Sequence, residues 1–391
     1  MSYYYALLAQ LSAAAAAPIV TRFLFAGEAG QAGNTAGRLA DFSGNGRHFE
    51  QDYGPAQPQL ITDAYGRPAY KMNPGGVGTS WLGPIANEGT EAMTIYQAYD
   101  FSENTAPMYL FDGRDDVANN NHTLLLGAGN EELFYSLTGG AGTQYAGTLL
   151  PTGRHVFTWV INTAISRAAL YVDGILWVDD FIIGPAVPVT RARIGGDFNY
   201  PSYAFTTGNF YATKVARGVD SPAVRIAEID GLYQRHFAGL SCPGVLRAGT
   251  YTQDHPAVRM DSQPKRAVVL LSATGEPQAT NGATWVREIS PVYENGAAGY
   301  SLYAGDGYAF WFYGTGFTLR GARLANGCPI AVRVDGGAPV AGSCFGDRTV
   351  GLYAPAVTGL PLGYHFVQVV NTNAQGDNSQ VNICNTILIT G

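Results

Sequence analysis

Chain-breaking residues constrain this sequence more than any other feature. From Pro18 onward, short runs of β-branched and aromatic residues alternate with Gly, Pro, Asn and Asp, and 50 glycines and 21 prolines are spread over 391 residues. Helices do not tolerate that density of breakers, whereas short strands end naturally at them. Residues 19–25, 93–99, 155–161 and 169–172 read as strands in the first part of the chain. Residues 267–271, 309–313, 330–334, 365–370 and 381–389 do so in the last part. Between 170–172 and 175–178 lies Asp173-Gly174, a pair that accepts the positive φ of a two-residue hairpin turn. One stretch departs from this pattern. Ser221-Pro222 offers an N-cap and a proline at the first helical position, and Ile226, Ile229, Tyr233 and Phe237 then recur at helical spacing, so 223–237 is expected to be a helix.

The composition narrows the function classes. Hydrophobic residues make up 46% and aromatics 12%, enough for packed cores and too much for bulk disorder. Charged residues make up only 14% and the formal charge is −7, so there is no positive excess with which to bind nucleic acid. Residues 5–20 are apolar except for Gln10 and Ser12, but no Lys or Arg precedes them, which disfavours a secretory leader. The stretch from Tyr5 to Pro18 is too short to span a bilayer, so no membrane insertion is expected. A helix over 1–17 that docks on a partner or a second copy is the expectation, because an isolated helix of that length is marginal in water.

The four cysteines, Cys242, Cys328, Cys344 and Cys384, contain no CxxC pair to suggest zinc. Cys328 and Cys344 lie symmetrically about Asp335-Gly336-Gly337. A hairpin closing there would set them opposite each other, either as a disulfide or as two buried thiols.

Three landmarks in the first half occur in a telling order: Asp41-Phe-Ser-Gly-Asn-Gly46; Arg154-His-Val-Phe-Thr-Trp159 running on to Leu170-Tyr-Val-Asp-Gly174; and Ile194-Gly-Gly196 followed by Asn209-Phe-Tyr211, Val215-Ala-Arg217 and the helix. Their order and spacing resemble a laminin-G-like domain of the concanavalin A-like lectin and glucanase superfamily. In the second half, Phe310–Gly316, Val332–Gly337 and Leu362–Val367 resemble a galactose-binding-like β-sandwich of the kind appended to carbohydrate-active and phage surface proteins. The resemblances imply an all-β chain of two β-sandwich (jelly-roll) domains in tandem with a short N-terminal helix. The expected division is 1–17 apolar helix, 18–237 lectin-like sandwich, 238–266 linker or extended arm, and 267–391 second sandwich.

The superfamily includes glucanases, which draw paired carboxylates from one strand. The nearest string here, Glu228-Ile-Asp230-Gly-Leu-Tyr233, lacks the final acid and falls in the expected helix, so Glu228 and Asp230 read as solvated helix charges. No nucleophile elbow or spaced metal-binding histidines appear, and no enzyme activity is expected. Gly282-Ala-Thr-Trp285 echoes the end of a sialidase Asp-box, but Thr280 stands where its Asp belongs. Asp41, Ser43 and Asn45 offer oxygens to Ca²⁺, which relatives of the fold often hold, yet such a turn also forms on hydrogen bonds alone. Asp112 and Asp115-Asp116 either complete that site or are solvated.

Sugars stack on exposed aromatics, for which Trp81, Tyr200 and Tyr203 are candidates in the first domain. In the second, alternation places Trp311 and Tyr313 on the face opposite Phe310 and Phe312. The combined expectation is a non-enzymatic virion surface protein (a phage head fibre, decoration or tail-associated adhesin) whose domains contact glycans and whose residues 1–17 bind other virion proteins or a second copy. The alternatives are an extracellular bacterial carbohydrate-binding protein and, less favoured, a glycan hydrolase.

Overall fold

A computed structural model gives the fold. It describes residues 23–391 except 36, 54–57, 73–79, 88–91, 102–107, 115–120, 127–132, 138–140, 146–151, 163–166, 183–188, 196–207, 238, 253–254, 262–284, 290–296, 302–306, 324, 326, 347–348, 353, 373–380 and 383–385. The expected helix over 1–17 and the strand over 267–271 lie outside the described residues. The chain divides into two compact units, Met1–Cys242 and Pro243–Gly391.

The first unit is a sandwich of two eight-stranded antiparallel sheets. Met93–Phe101 and Gly153–Asn162 lie together near the middle of one sheet, and Asn209–Arg217 flanks Met93–Phe101 on its other side. Met108–Arg114, Val189–Ile194 and Ser80–Asn87 form the middle of the other. Aromatic pairs tie the two layers through the core. Phe25 stacks on Phe49 at 4.1 Å, Tyr70 meets Trp81 edge-on at 4.9 Å, and Phe111 meets Trp159 at 6.1 Å. Gly83 makes room for one of these pairs, since a Cβ there would fall 1.7 Å from Cδ1 of the buried Phe49. Gly83→Ala is expected to cost about 1–3 kcal/mol through overpacking, measured by chemical denaturation.

The helix Pro222–His236 begins as its sequence dictates, with Ser221 accepting the Val224 N–H at 3.4 Å. Its stripe of Ile226, Ile229, Tyr233 and Phe237 is buried, on the side of the helix that packs against the strands Gly153–Asn162 and Met93–Phe101.

The second unit contains a six-stranded sheet, a four-stranded sheet and a three-stranded sheet. Phe310, Phe312, Phe317, Ile330, Val367 and Ile387 meet in its core. Its boundaries correct the expected linker. Within 238–266, Val245–Leu246 pairs in parallel with Gly307–Gly314, Arg259–Asp261 pairs with the same strand, and Gly249–Tyr251 pairs with Thr386–Thr390. The prolines and glycines read as a linker instead separate short strands, each too brief to show a period of two. Residues 381–389, read as one strand, form two: Val381–Asn382 and Thr386–Thr390.

Cys328 and Cys344 do face each other across the hairpin, with the Cys344 N–H donating to the Cys328 carbonyl at 2.9 Å. Both are buried free thiols. A hydrogen bond between the two side chains lowers the Cys328 thiol from its ordinary value.

One local device occurs in both units. At the hairpin Asp173-Gly174, both residues have positive φ, 56° and 79°. The Asp173 carboxylate reaches the neighbouring strand, 2.7 Å from His155 Nδ1 and 2.8 Å from the Val156 N–H. In the second unit Asp335-Gly336 has φ of 52° and 73°, and Asp335 meets His365 Nδ1 at 2.7 Å and the Phe366 N–H at 2.7 Å. Each Asp also donates its own N–H to the carbonyl of the residue after the histidine. Asp is therefore suited to this turn twice over, tolerating positive φ and supplying a carboxylate to the adjacent strand.

Candidate functional site

The strand Gly307–Gly314 alternates strictly: Tyr308, Phe310 and Phe312 are buried, while Ala309, Trp311 and Tyr313 are partly exposed. Strand pleating requires this, because successive side chains point to opposite faces. Pairing with Gly363–Asn371 sets Trp311 beside Phe366 and Tyr313 beside Tyr364. The ring centroids are 4.9 Å apart in the first pair and 5.0 Å apart in the second. Four rings thus lie side by side on the face of the sheet away from the core, at separations typical of favourable aromatic pairs.

Polar groups lie at the ends of this ladder. The Arg247 guanidinium carbon stands 5.3 Å from the Tyr313 ring centroid. Gln368 and Arg333, opposite each other on neighbouring strands, extend the same face beyond Phe366. Alternation alone exposed Trp311 and Tyr313. Phe366, Tyr364, Gln368, Arg333 and Arg247 were missed because their proximity depends on strand register, which no local pattern in the sequence carries.

In the first unit the aromatic candidates are not brought together. Trp81 is fully buried in the core between Tyr70 and Phe210, the latter at 5.1 Å, so the expected sugar platform there is corrected. Its neighbour Gly83, also inward, leaves a space that large rings fill. Tyr200 and Tyr203 lie outside the described residues.

Asp41, Ser43 and Asn45 do converge, as partners of one another. Asp41 Oδ1 accepts from the N–H groups of Ala26 at 3.1 Å and Ser43 at 2.8 Å. Its Oδ2 accepts from the Ser43 hydroxyl and the Arg47 N–H, both at 2.9 Å. Asn45 donates to the Phe23 carbonyl at 2.9 Å and to the Ser43 hydroxyl at 2.9 Å. A calcium ion taking Asp41 would compete with these four donors. No group of three His, Cys, Asp or Glu side chains placed for a metal ion occurs among the described residues.

Glu228 and Asp230, read as solvated, are not, and neither is Asp112, for which solvation was one of two readings. Asp112 is fully buried, and register places it across from Arg193. Asp230 is buried, and Glu228 joins an ion cluster between the helix and the sheet. There, Lys214 Nζ lies 2.5 Å from Glu28 and 2.7 Å from Glu228, Arg235 contacts both carboxylates, and His236 Nε2 sits 3.0 Å from Glu28. Burial by itself would raise the Glu28 carboxyl. The His236 hydrogen bond and the charges of Lys214 and Arg235 outweigh that and hold it far below the ordinary glutamate range. Two carboxylates do meet here, but with cations between them and little exposure, an arrangement of structural ion pairs.

No family model and no curated protein matches the chain. Among solved structures, it resembles a Trypanosoma rangeli sialidase in complex with 2,3-difluorosialic acid at 14% identity and a TM-score of 0.42, covering 56% of this chain and 34% of that one. It also resembles the binding domain of botulinum neurotoxin DC in complex with SialylT, at 8% identity and a TM-score of 0.42, covering 94% of this chain and 100% of that one. The same binding domain in complex with rat synaptotagmin II gives 8% identity and a TM-score of 0.41. The chain spans about a third of the sialidase. Similarity at this level carries no argument about activity or ligand, and the class of this protein is set by its own geometry: two β-sandwich units, the second presenting an aromatic ladder.

Proposed function

We propose that this chain is a non-enzymatic surface protein whose second unit contacts glycans through Trp311, Tyr313, Tyr364 and Phe366. The observation that carries the reading is the alignment of these four rings on the outer face of one sheet, with Gln368 and two arginines beside them. Aromatic faces stack on the apolar faces of sugar rings, and a few polar groups set orientation, the usual composition of a small-molecule site. The acidic pair in the first unit is bridged by Lys214 and supports no hydrolytic role.

The setting that best accommodates a weak platform is a multivalent one. A virion surface component such as a head fibre, decoration or tail-associated adhesin repeats its domains many times, which turns weak contacts into useful avidity. In this reading residues 1–17 attach the chain to other virion proteins or to a second copy.

The test is a glycan array with the intact chain, followed by titration of the best hit. Trp311→Ala and Tyr313→Ala are each expected to weaken binding at least tenfold with the circular dichroism spectrum unchanged. The absence of any hit, or full binding by both variants, would sink the reading. Steady release of reducing ends from the array sugars would favour the hydrolase alternative instead.

A further inference from the structure

Among the described residues, Cys328 and Cys344 are the one pair of cysteines that face each other. They flank the hairpin of Pro329–Val334 and Val340–Ser343, one residue before its first strand and one after its second. Pro329 is in register with Ser343, so the next pair outward is Cys328 with Cys344. Directly opposed residues of antiparallel strands have Cα atoms roughly 4.5–5.5 Å apart, inside the range that a disulfide spans. Gly327 lets the two chains close at this point, since a Cβ there would fall 2.0 Å from the Cys344 carbonyl oxygen. Both thiols belong to the core of the second unit, and a hydrogen bond already joins their side chains. Cys242, in the first unit, donates instead to the Asp173 carbonyl at 3.3 Å.

The surroundings give an oxidant a way in. Val340–Ser343 is the outermost strand of its sheet and pairs only with Pro329–Val334 among the described residues. Val340 and Phe345, at either end of that strand, are exposed. A strand held on one side opens locally at lower cost than a central one. We propose that Cys328 and Cys344 are a redox pair that closes to a disulfide by exchange with oxidised glutathione, locking this edge hairpin at its base. The side-chain hydrogen bond from Cys344 lowers the Cys328 thiol, which makes Cys328 the attacking group. Its thiolate bonds to one glutathione sulfur as the glutathione disulfide breaks, releasing the first glutathione. The Cys344 thiolate then attacks the Cys328 sulfur and releases the second. Two electrons pass to glutathione, and the two thiol protons end on the two glutathione molecules released. The step needs no ligand on the aromatic ladder. The turn end of the hairpin is already pinned by Asp335 to His365 and the Phe366 N–H, so the bond would fix the other end.

The experiment uses the intact chain, folded and also refolded from urea, in reduced and in oxidised glutathione. Refolding exposes both thiols, so burial does not limit the reaction. Trypsin cuts after Arg333, between the two cysteines, and after Arg323 and Arg348. A Cys328–Cys344 bond therefore shows in unreduced digests as peptides 324–333 and 334–348 joined, and dithiothreitol separates them. In oxidised glutathione the joined form is expected to account for most of both peptides, in wild type and in the Cys242→Ser, Cys384→Ser double variant alike. Cys344→Ser should instead carry glutathione on Cys328. Amide exchange over residues 340–344 should slow about fivefold or more in the oxidised chain. A refolded chain whose Cys328 and Cys344 stay free, carry glutathione separately or bond to Cys242 or Cys384 would overturn the proposal and leave the glycan reading standing. An oxidised chain that exchanges as fast as the reduced one would overturn the lock.

Discussion

Trp81→Ala lowers the stability of the first unit by about 3–5 kcal/mol, the usual cost of deleting a large buried aromatic. The indole is fully buried, meets Tyr70 edge-on and lies against Phe210, and so joins strands of both sheets. Removing it leaves a cavity that the two flanking rings, fixed by their own strands, fill only in part. Trp81→Phe is expected to lose much less. It keeps an aromatic in the gap and removes Nε1, which has no hydrogen-bond partner among the described residues. Urea denaturation of the three proteins measures this, and an alanine variant as stable as wild type would refute the placement of Trp81 in the core.

The second large effect is electrostatic. Lys214→Met removes the cation shared by Glu28 and Glu228 and leaves two carboxylates under the helix with Arg235 and His236 as partners. Breaking a buried pair in this way costs about 3–5 kcal/mol, because an uncompensated charge remains. The same cluster sets an acid limit. The Glu28 carboxyl is held below its ordinary value of 4.5, so the folded state binds its proton less readily than the unfolded chain. Its stabilisation is therefore complete above about pH 4.5 and is lost as the pH falls from there towards the folded-state value. Melting temperatures between pH 7 and pH 3 should fall below pH 4.5 in wild type and fall less steeply in Glu28→Gln, which starts lower. Parallel curves would show that the cluster does not govern acid stability.

Much of the local structure was legible beforehand. Ser221-Pro222 marked the start of the helix, and the spacing of Ile226, Ile229, Tyr233 and Phe237 marked its buried face. Asp173-Gly174 and Asp335-Gly336 announced their turns, because Asp-Gly tolerates backbone angles that most residues avoid. What failed did so for one reason. Glu228 and Asp230 look like surface charges in a helix with no other acids, and nothing nearby in sequence shows that Lys214 comes to bridge Glu28 and Glu228. Trp81 has the composition of a sugar platform, but the packing of Tyr70 and Phe210 decides which way it faces. The stretch 238–266 lacks periodicity because its strands are two or three residues long, too short to show any pattern before they find partners.

The sequence by itself determined the all-β character, the strand positions between breakers, the single described helix and the outward aim of Trp311 and Tyr313. These follow from backbone sterics and from the two-residue period of a strand, which act over a few neighbours. The tertiary structure alone decided that Phe366 and Tyr364 complete the ladder, that Arg247 and Arg333 stand at its ends, and that Trp81 and the acids of the first unit turn inward. Strand register and burial depend on contacts between residues far apart in the chain, and only the folded arrangement of both sheets selects among them.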